Sequence, residues 1–313
     1  MNNPYISIIS PVYQAEGIID ELVSQIQFSI KNLSNYYEIL LVDDGSSDKS
    51  WEKIEDNCRK IKEVKGLKLS RNFGQHYAIT AGIEKAKGDY IVVIDCDLQD
   101  DPKYIPEMYN KIKEGYDIVY TLKEKRKHSY FKNITATLFS LIFNYLSESK
   151  NIQSHKNIGA YSMISRKVAD AFNAYNDYHR HYLMVLRWLG FKSCYLSIEH
   201  KERFSGTSSY TISKLFNHAI DGITSQSDRL LRLFVNIGLI VSFLSFLSII
   251  LIVILYFVQG FMSGWASLIV FLLFSTGLIL TGIGVLGIYL GKTFEQTKNR
   301  PKYLIDLIIN YND

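Results

Sequence analysis

The longest stretch of this chain without a charged residue or histidine runs from Leu233 to Gly291. It is long enough for two bilayer spans, because one transmembrane helix needs ~20 mainly apolar residues. The pattern predicts two transmembrane helices, at Leu233–Val258 and Ser267–Tyr289, joined by a tight turn at Gln259–Trp265. A buried helical hairpin of a soluble protein is the alternative, and the length of the charge-free run argues against it.

Basic residues flank this run on both sides, whereas the predicted turn has none. They are Arg229, Arg232, Lys292, Lys298, Arg300 and Lys302. By the positive-inside rule, both ends lie in the cytoplasm and the turn faces outward. The N-terminal segment lacks a basic stretch followed by an apolar core, so we expect no signal peptide. The chain is therefore predicted to sit in the inner (cytoplasmic) membrane with its large domain in the cytoplasm, where Cys58, Cys96 and Cys194 stay reduced.

Apolar, strand-like runs alternate with helix-like stretches through the first half of the chain. The predicted strands are Ile6–Ser10, Glu38–Val42, Gly66–Leu69, Tyr90–Ile94 and Asp117–Tyr120. The segments between them place apolar residues at helical spacing. This alternation predicts a mainly parallel sheet with helices on both faces. Ligands of such sheets bind beyond the carboxyl ends of the strands.

Polar side chains follow the predicted strands at those carboxyl ends. Tyr13, after the first strand, is suited to lie against a planar base. Asp43 and Asp44, after the second, are suited to accept hydrogen bonds from a base or ribose, and Arg71, after the third, to meet a phosphate or base. Each has a structural alternative, such as a turn, a helix cap or an arginine–carboxylate pair. Their shared position at one sheet edge favours a binding site.

The fourth strand runs directly into an acidic stretch, "GDYIVVIDCDLQDD". Asp95, Asp97, Asp100 and Asp101 are close enough to repel one another, and partial burial raises the cost of keeping them ionised. A solvated acidic turn is the alternative, and it is the commoner explanation of an isolated Asp-x-Asp. Taken with the other strand ends, the stretch predicts that a positive group binds here.

Motifs in the first 102 residues identify the family that the chain resembles. "PVYQAEG", "LLVDDGSSD", "LSRNFGQHYAITAGIEKAKGD" and "VIDCDLQDDP" occur in an order and spacing similar to those of the family 2 glycosyltransferases with the Rossmann-like GT-A fold. The C-terminal apolar run narrows the resemblance to the polyprenyl-phosphate glycosyltransferases, the group of dolichyl-phosphate mannose synthase and the bacterial undecaprenyl-phosphate sugar transferases. The tail "RPKYLIDLI" is similar to that group too, so the resemblance covers nearly the whole chain.

The resemblance implies that Asp95 and Asp97 form a DxD pair that holds Mg²⁺ or Mn²⁺ against the diphosphate of a UDP- or GDP-type sugar donor, with Gln99 as a further ligand. Hard oxygen donors suit such cations. Cys96 stands where the family usually has Ala, and we interpret it as a packing residue because a thiolate suits Mg²⁺ poorly. The residues implied around the nucleotide-sugar are Pro11, Tyr13, Glu16, Asp43, Asp44, Arg71, Cys96 and Ser209.

The implied reaction is inverting transfer of one sugar to a polyprenyl phosphate, for modification of cell-envelope glycans. A lipid phosphate with a second pKa of about 6 is mostly dianionic at neutral pH, so cations that hold it matter more than a strong base. The candidate catalytic cations are Lys123, aligned with a family Arg, and Arg203 in "HKERFSGTSSYTISKL". Arg126 and Lys132 are further candidates, and a solvated basic surface is the alternative for residues 123–132.

The chain departs from the family pattern where sugar and acceptor should bind. Ser209 stands where many relatives have Lys, and Lys156 and Ser162 stand where the family often has Asp and Arg. Ala15 replaces a frequent Glu, with Glu16 next to it. These departures leave the identity of the sugar and of the nucleotide open.

The expected organisation is a GT-A domain (1–210), juxtamembrane interfacial helices (211–232), two transmembrane helices (233–291) and a cytoplasmic tail (292–313). Ser129–Ser147 also has the composition of a helix at the membrane interface, with a core-facing helix as the alternative. The resemblance implies a homo-oligomer, a tetramer, in contact with the bilayer. No nucleic-acid partner is expected.

Two other functions are compatible with parts of the sequence. A processive polysaccharide synthase carries Gln-x-x-Arg-Trp, but "MVLRW" (Met184–Trp188) lacks the Gln. A membrane scaffold with an inactive nucleotide-binding domain would not need the intact Asp95, Asp97 and Arg203. We therefore predict a membrane-anchored, metal-dependent glycosyltransferase.

Overall fold

The computed structural model describes residues 5–123, 158–178, 180–199, 229–259 and 264–311. The chain divides into two compact units. The first consists of Met1–His128, Gln153–Ser208 and Arg300–Asp313, and the second of Ser129–Ile152 and Ser209–Asn299. The predicted interfacial segment 129–147, and residues 211–228 of the other, lie outside the described residues.

An eight-stranded mixed sheet forms the centre of the first unit. Its strands are β1 (Ile6–Val12), β2 (Tyr37–Asp43), β3 (Val64–Leu69), β4 (Tyr90–Val93), β5 (Ile118–Lys123), β6 (Ile158–Ser165), β7 (Ser193–Ile198) and β8 (Ile305–Ile309). Their order across the sheet is β7-β5-β6-β4-β1-β2-β3-β8. The neighbours among β1 to β4 pair in parallel, as do β5 and β7, whereas β6 and β8 run antiparallel to their neighbours. The predicted α/β sheet is confirmed.

Helices cover both faces of this sheet. They are α1 (Ile19–Ile30), α2 (Ser50–Lys60), α3 (Gln75–Lys85), α4 (Ile105–Lys113), α5 (Arg166–Ala174) and α6 (Tyr182–Leu189). Side chains of α1, α2 and α4 share one buried cluster with Ile8 and Ile39, and those of α3, α5 and α6 share the other with Ile9 and Leu40. Neighbouring strand residues point to opposite faces, so a strand covered on both faces buries apolar side chains at successive positions, such as Ile8 and Ile9 of β1 and Ile39 and Leu40 of β2. Burying one such side chain stabilises the fold by about 1.5–3 kcal/mol.

The C-terminal tail supplies the eighth strand, which the sequence analysis did not predict. Strand β8 pairs antiparallel with β3, and the Ser70 amide donates to the Leu304 carbonyl at 2.9 Å. The Tyr303 hydroxyl donates to Glu84 in α3, and Asn310 Nδ2 donates to the Val64 carbonyl at 3.0 Å. The tail is therefore part of the unit that contains the sheet.

Two long helices, α7 (Arg229–Gln259) and α8 (Trp265–Thr297), occupy the predicted membrane-spanning region in the second unit. Within the described residues, Phe274–Thr297 is long and apolar enough to cross a membrane, by length and composition alone. Residues 260–263 of the predicted turn lie outside the described part of the chain. The two-helix transmembrane hairpin therefore stays a prediction.

Candidate active site

The polar strand ends lie at one edge of the sheet, because β1, β2, β3 and β4 run in the same direction. Tyr13 follows β1, Asp43 ends β2, Arg71 follows β3 and Asp95 follows β4. Strand β5 also runs parallel to β4, since both are antiparallel to β6. Its last residue, Lys123, therefore lies at the same edge.

Hydrogen bonds tie the loop after β1 to the loop after β2. The backbone N–H of Gln14 donates to Ser46 Oγ at 3.0 Å, and the backbone N–H of Ala15 donates to Ser50 Oγ at 2.8 Å. Glu16 Oε2 accepts a hydrogen bond from the Lys49 amide at 2.9 Å. The Glu16 carboxylate therefore helps to hold the loops after β1 and β2 together. Its predicted role near the nucleotide stays a prediction.

Asp44 joins the loop after β2 to the loop after β3. Its two carboxylate oxygens accept hydrogen bonds from the backbone amides of Phe73, at 2.8 Å, and Gly74, at 2.9 Å. Gly45 has φ +68°, and a Cβ there would lie 2.6 Å from the carbonyl carbon of Arg71. The close approach of these loops thus requires a glycine, for space as well as for backbone conformation.

Burial governs the ionisation of the two aspartates at the end of β2. Desolvation raises the pKa of Asp43 and of Asp44, while hydrogen bonds from Ser46, Phe73 and Gly74 oppose that rise. Asp43 Oδ2 accepts no hydrogen bond in the described part of the chain. A buried acceptor in that state costs about 1–3 kcal/mol. Both residues are buried, so a nucleotide contact through either requires the groups that cover them to shift.

Tyr13 and Arg71 are accessible without such a shift. Tyr13 is 48% exposed, which leaves its ring open to a planar ligand. The Arg71 guanidinium lies 4.1 Å from the centroid of the Phe73 ring and donates to the Asn72 carbonyl at 3.1 Å. Its direct contacts in the described part of the chain are therefore with these two neighbours rather than with a carboxylate.

The acidic stretch after β4 is held in a defined turn. Asp97 Oδ1 accepts a hydrogen bond from the backbone N–H of Gln99 at 3.1 Å. Leu98 between them has φ +58°, a left-handed conformation that is unfavourable for a side chain with a Cβ. Its side chain is buried against the core formed with α1 and α4. Burial of Leu98 therefore stabilises the conformation that brings Asp97 and Gln99 together.

Cys96 packs against the same core. Desolvation and the neighbouring Asp95 carboxylate raise the pKa of its thiol to about 12, so the thiol stays protonated at neutral pH. A protonated thiol is a poor metal ligand. This agrees with the interpretation of Cys96 as a packing residue.

The donor set at the end of β4 fits a hard cation. It offers the carboxylates of Asp95 and Asp97 and the side-chain amide of Gln99. In the described ranges, no group of three or more His, Cys, Asp and Glu side chains is arranged to hold a metal. Mg²⁺ usually binds through one or two carboxylates together with phosphate oxygens and waters, rather than in an all-protein cage. These residues are therefore compatible with a cation that is completed by a diphosphate ligand.

Residues 7–172 match the family model "Glycosyl transferase family 2". The chain belongs to this family. A similar relative is the uncharacterized glycosyltransferase YkcC of Bacillus subtilis, 36% identical over 96% of this chain and 92% of its own length. Another is the undecaprenyl-phosphate 4-deoxy-4-formamido-L-arabinose transferase of Aeromonas hydrophila, 32% identical over 99% of this chain and 96% of its own length. The predicted resemblance is confirmed.

The fold of this glycosyltransferase also occurs in a solved structure of low sequence identity. A mycobacterial protein of known crystal structure has a TM-score of 0.51 and 14% identity, and the match covers 71% of this chain and 73% of that one. This likeness concerns the fold alone. Together with the family match, the mixed sheet confirms the predicted GT-A class.

The structure describes some of the remaining predicted site residues and not others. Pro11 is buried in β1 opposite Val42 of β2. Ser162 is also buried, and its hydroxyl lies 2.9 Å from the Tyr182 hydroxyl. Arg203 and Ser209 lie outside the described residues, so their predicted roles stay predictions.

One contact of the site was missed by the sequence analysis. Gln75 Nε2 donates to Asp95 Oδ1 at 2.6 Å. Gln75 belongs to the motif "LSRNFGQH", but nothing in the local pattern indicates that its amide reaches a carboxylate twenty residues further along the chain. The sequence did offer one signal: Gln75 is a polar residue at the start of a predicted helix, in a motif that follows a predicted strand at the end where ligands bind.

Proposed function

We propose that this glycosyltransferase moves a single sugar, with inversion, from a nucleotide-sugar to a polyprenyl phosphate such as undecaprenyl phosphate. The product would be a lipid-linked sugar for modification of cell-envelope glycans. The observation that carries the proposal is the meeting of Tyr13, Arg71, Asp95 and Asp97 at one sheet edge. The relative named for undecaprenyl phosphate aligns with 99% of this chain, so the likeness extends beyond the nucleotide-binding half.

At the donor end, we propose that Asp95, Asp97 and Gln99 hold Mg²⁺ or Mn²⁺. When bound, the cation supplies stabilisation of the charge that develops on the leaving nucleoside diphosphate. The exposed ring of Tyr13 is suited to stack on the base, and the exposed guanidinium of Arg71 to pair with a phosphate.

At the acceptor end, the nucleophile is a phosphate oxygen of the lipid. That phosphate is mostly dianionic at neutral pH, so the protein needs to hold and orient it rather than deprotonate it. Lys123 is proposed for this role because β5 ends at the same sheet edge as β4. Arg203 is proposed from its motif, and together the two cations would offset the repulsion between the two phosphate-bearing substrates.

The acceptor is a membrane lipid, so we propose that the chain is a multi-pass protein of the inner membrane with its sheet unit in the cytoplasm. The support is the apolar stretch of α8 and the basic residues on both sides of the charge-free run. The proposed organisation is a GT-A domain over 1–210, interfacial helices over 211–232, two spans within 233–291 and a cytoplasmic tail from 292, in a homo-oligomer.

Reporter fusions test this topology. A reporter fused after Asp313 should give a cytoplasmic signal, and one inserted at Ser263 should give an exterior signal, because only the turn lacks flanking basic residues. An insertion after Glu114, in the exposed turn between α4 and β5 and at the opposite end of β5 from the candidate site, serves as the cytoplasmic control. A cytoplasmic signal from Ser263 would contradict the two-helix arrangement.

A donor panel tests the reaction. Membranes containing the protein are incubated with undecaprenyl phosphate and a set of radiolabelled UDP- and GDP-sugars. We expect one donor class to give an acid-labile product that extracts into organic solvent and carries one sugar. A labelled water-soluble polymer would instead indicate a processive synthase, and absence of product from every donor would indicate a scaffold.

A further inference from the structure

Gln75 is the first residue of α3 and lies at the sheet edge that carries the acidic stretch. Its side-chain Nε2 donates a hydrogen bond of 2.6 Å to Asp95 Oδ1. This is a contact between elements that follow two different strands, because Gln75 follows β3 and Asp95 follows β4. A flexible side chain at an exposed helix start gains such a contact only if its backbone is well placed.

The backbone before Gln75 is anchored by Asp44, which directly follows β2. Asp44 accepts hydrogen bonds from the amides of Phe73 and Gly74, the two residues that lead into α3. Gly74 has φ +104°, a conformation that a residue with a Cβ rarely adopts, so the turn into the helix depends on this glycine. The carboxylate at the end of β2 thus sets the position from which Gln75 reaches the carboxylate at the end of β4.

We propose that Gln75 is a positioning residue for the metal-binding pair: its amide orients the Asp95 carboxylate so that the cation meets a pre-set ligand. The inference rests on the proposed metal site at Asp95 and Asp97. A neutral amide suits this role because it donates a hydrogen bond without cancelling the negative charge that attracts the cation. Partners that orient a ligating carboxylate typically change metal affinity by about 10–100-fold when they are removed.

The test measures Mn²⁺ binding directly, by electron paramagnetic resonance on the full-length protein in lipid nanodiscs, with UDP and, separately, GDP as the nucleotide probe. Gln75→Ala removes the amide, and Gln75→Met removes the donor but keeps a long, unbranched, helix-favouring side chain. We expect both to raise the dissociation constant for Mn²⁺ about 10-fold or more. The matched control is Gln25→Ala, because Gln25 Nε2 donates to Glu21 at 2.7 Å on α1, away from the acidic stretch.

Two further readouts separate positioning from a general structural role. The apparent KM for Mn²⁺ in the transfer reaction should rise in both Gln75 variants, while kcat at saturating Mn²⁺ stays near that of the unmodified protein. The midpoint of thermal unfolding without metal should match that of Gln25→Ala. Gln75→Met covers the case in which Gln75→Ala unfolds.

Asp95→Asn, measured in the same way, separates the positioning role of Gln75 from the metal site itself. If it loses Mn²⁺ binding while both Gln75 variants keep the unmodified dissociation constant, the positioning role is wrong and the proposed metal site stands. If Asp95→Asn itself binds Mn²⁺ with unmodified affinity, the metal site is wrong, and the proposed function fails with it.

Discussion

Asp97→Asn should abolish sugar transfer while the protein stays folded, and Asp95→Asn should do the same. The change removes a ligand of the proposed cation, whose stabilisation of the departing diphosphate is worth several kcal/mol, or about 10³-fold in rate. It also removes one of two neighbouring like charges, so the unliganded protein loses a repulsion and should not be destabilised. Initial rates with labelled donor, and thermal unfolding of the same preparations, measure the two effects.

The control for this prediction is Asp56→Asn. Asp56 is an exposed carboxylate on α2 that pairs with Arg59 at 3.6 Å, and an exposed pair of this kind is worth little. Its variant should transfer sugar at the unmodified rate. EDTA should inhibit the unmodified protein, and Mg²⁺ or Mn²⁺ should restore activity. Full activity in excess chelator would show that the acidic pair does not act through a metal.

Arg203→Ala is the second substitution with a large expected effect. Arg203 is proposed to hold the phosphate of the lipid acceptor, and Ser209 carries no charge to share that task. Loss of the guanidinium should cost several kcal/mol of transition-state stabilisation, about 10²-fold or more in rate. Initial rates at several concentrations of undecaprenyl phosphate measure the loss.

Lys201→Ala is the control. Lys201 is a cation of the same segment, and no role is assigned to it. Ser209→Lys, which adds the cation that the family resemblance led us to expect at this position, should leave activity measurable. The proposed acceptor site is wrong if Arg203→Ala keeps the unmodified rate. The proposed single transfer is wrong if the labelled product grows beyond one sugar per lipid.

Local hydrophobic pattern predicted the first five strands from their apolar runs and the first four helices from the helical spacing of their apolar residues. It placed some strand ends too early. Strand β1 continues to Val12, which pairs with Asp43, and β5 continues to Lys123, which pairs with Ile198. These extensions depend on backbone hydrogen bonds to a neighbouring strand, and a polar or charged side chain does not prevent them.

Strands β6, β7 and β8 were not predicted, and the reason is clearest for β8. Strand β8 pairs with β3, whose residues lie more than two hundred positions earlier. Strand β8 is the outermost strand on its side of the sheet, and both Leu307 and Ile308 are exposed. The strand therefore lacks the alternation of apolar and polar residues that is typical of a half-buried strand. The motif "RPKYLIDLI" marked the tail as similar to the family, but only the tertiary structure shows that it completes the sheet.

The sequence by itself determined which polar residues follow each strand and in what order, because an apolar run marks a buried strand and the polar residues after it mark its end. The tertiary structure decided what those residues contact. Asp44 holds the amides of Phe73 and Gly74, Glu16 accepts from Lys49, and Gln75 reaches Asp95. Each of these contacts joins loops from different strands, and its geometry follows from how the parallel strands are packed side by side, which no local pattern encodes.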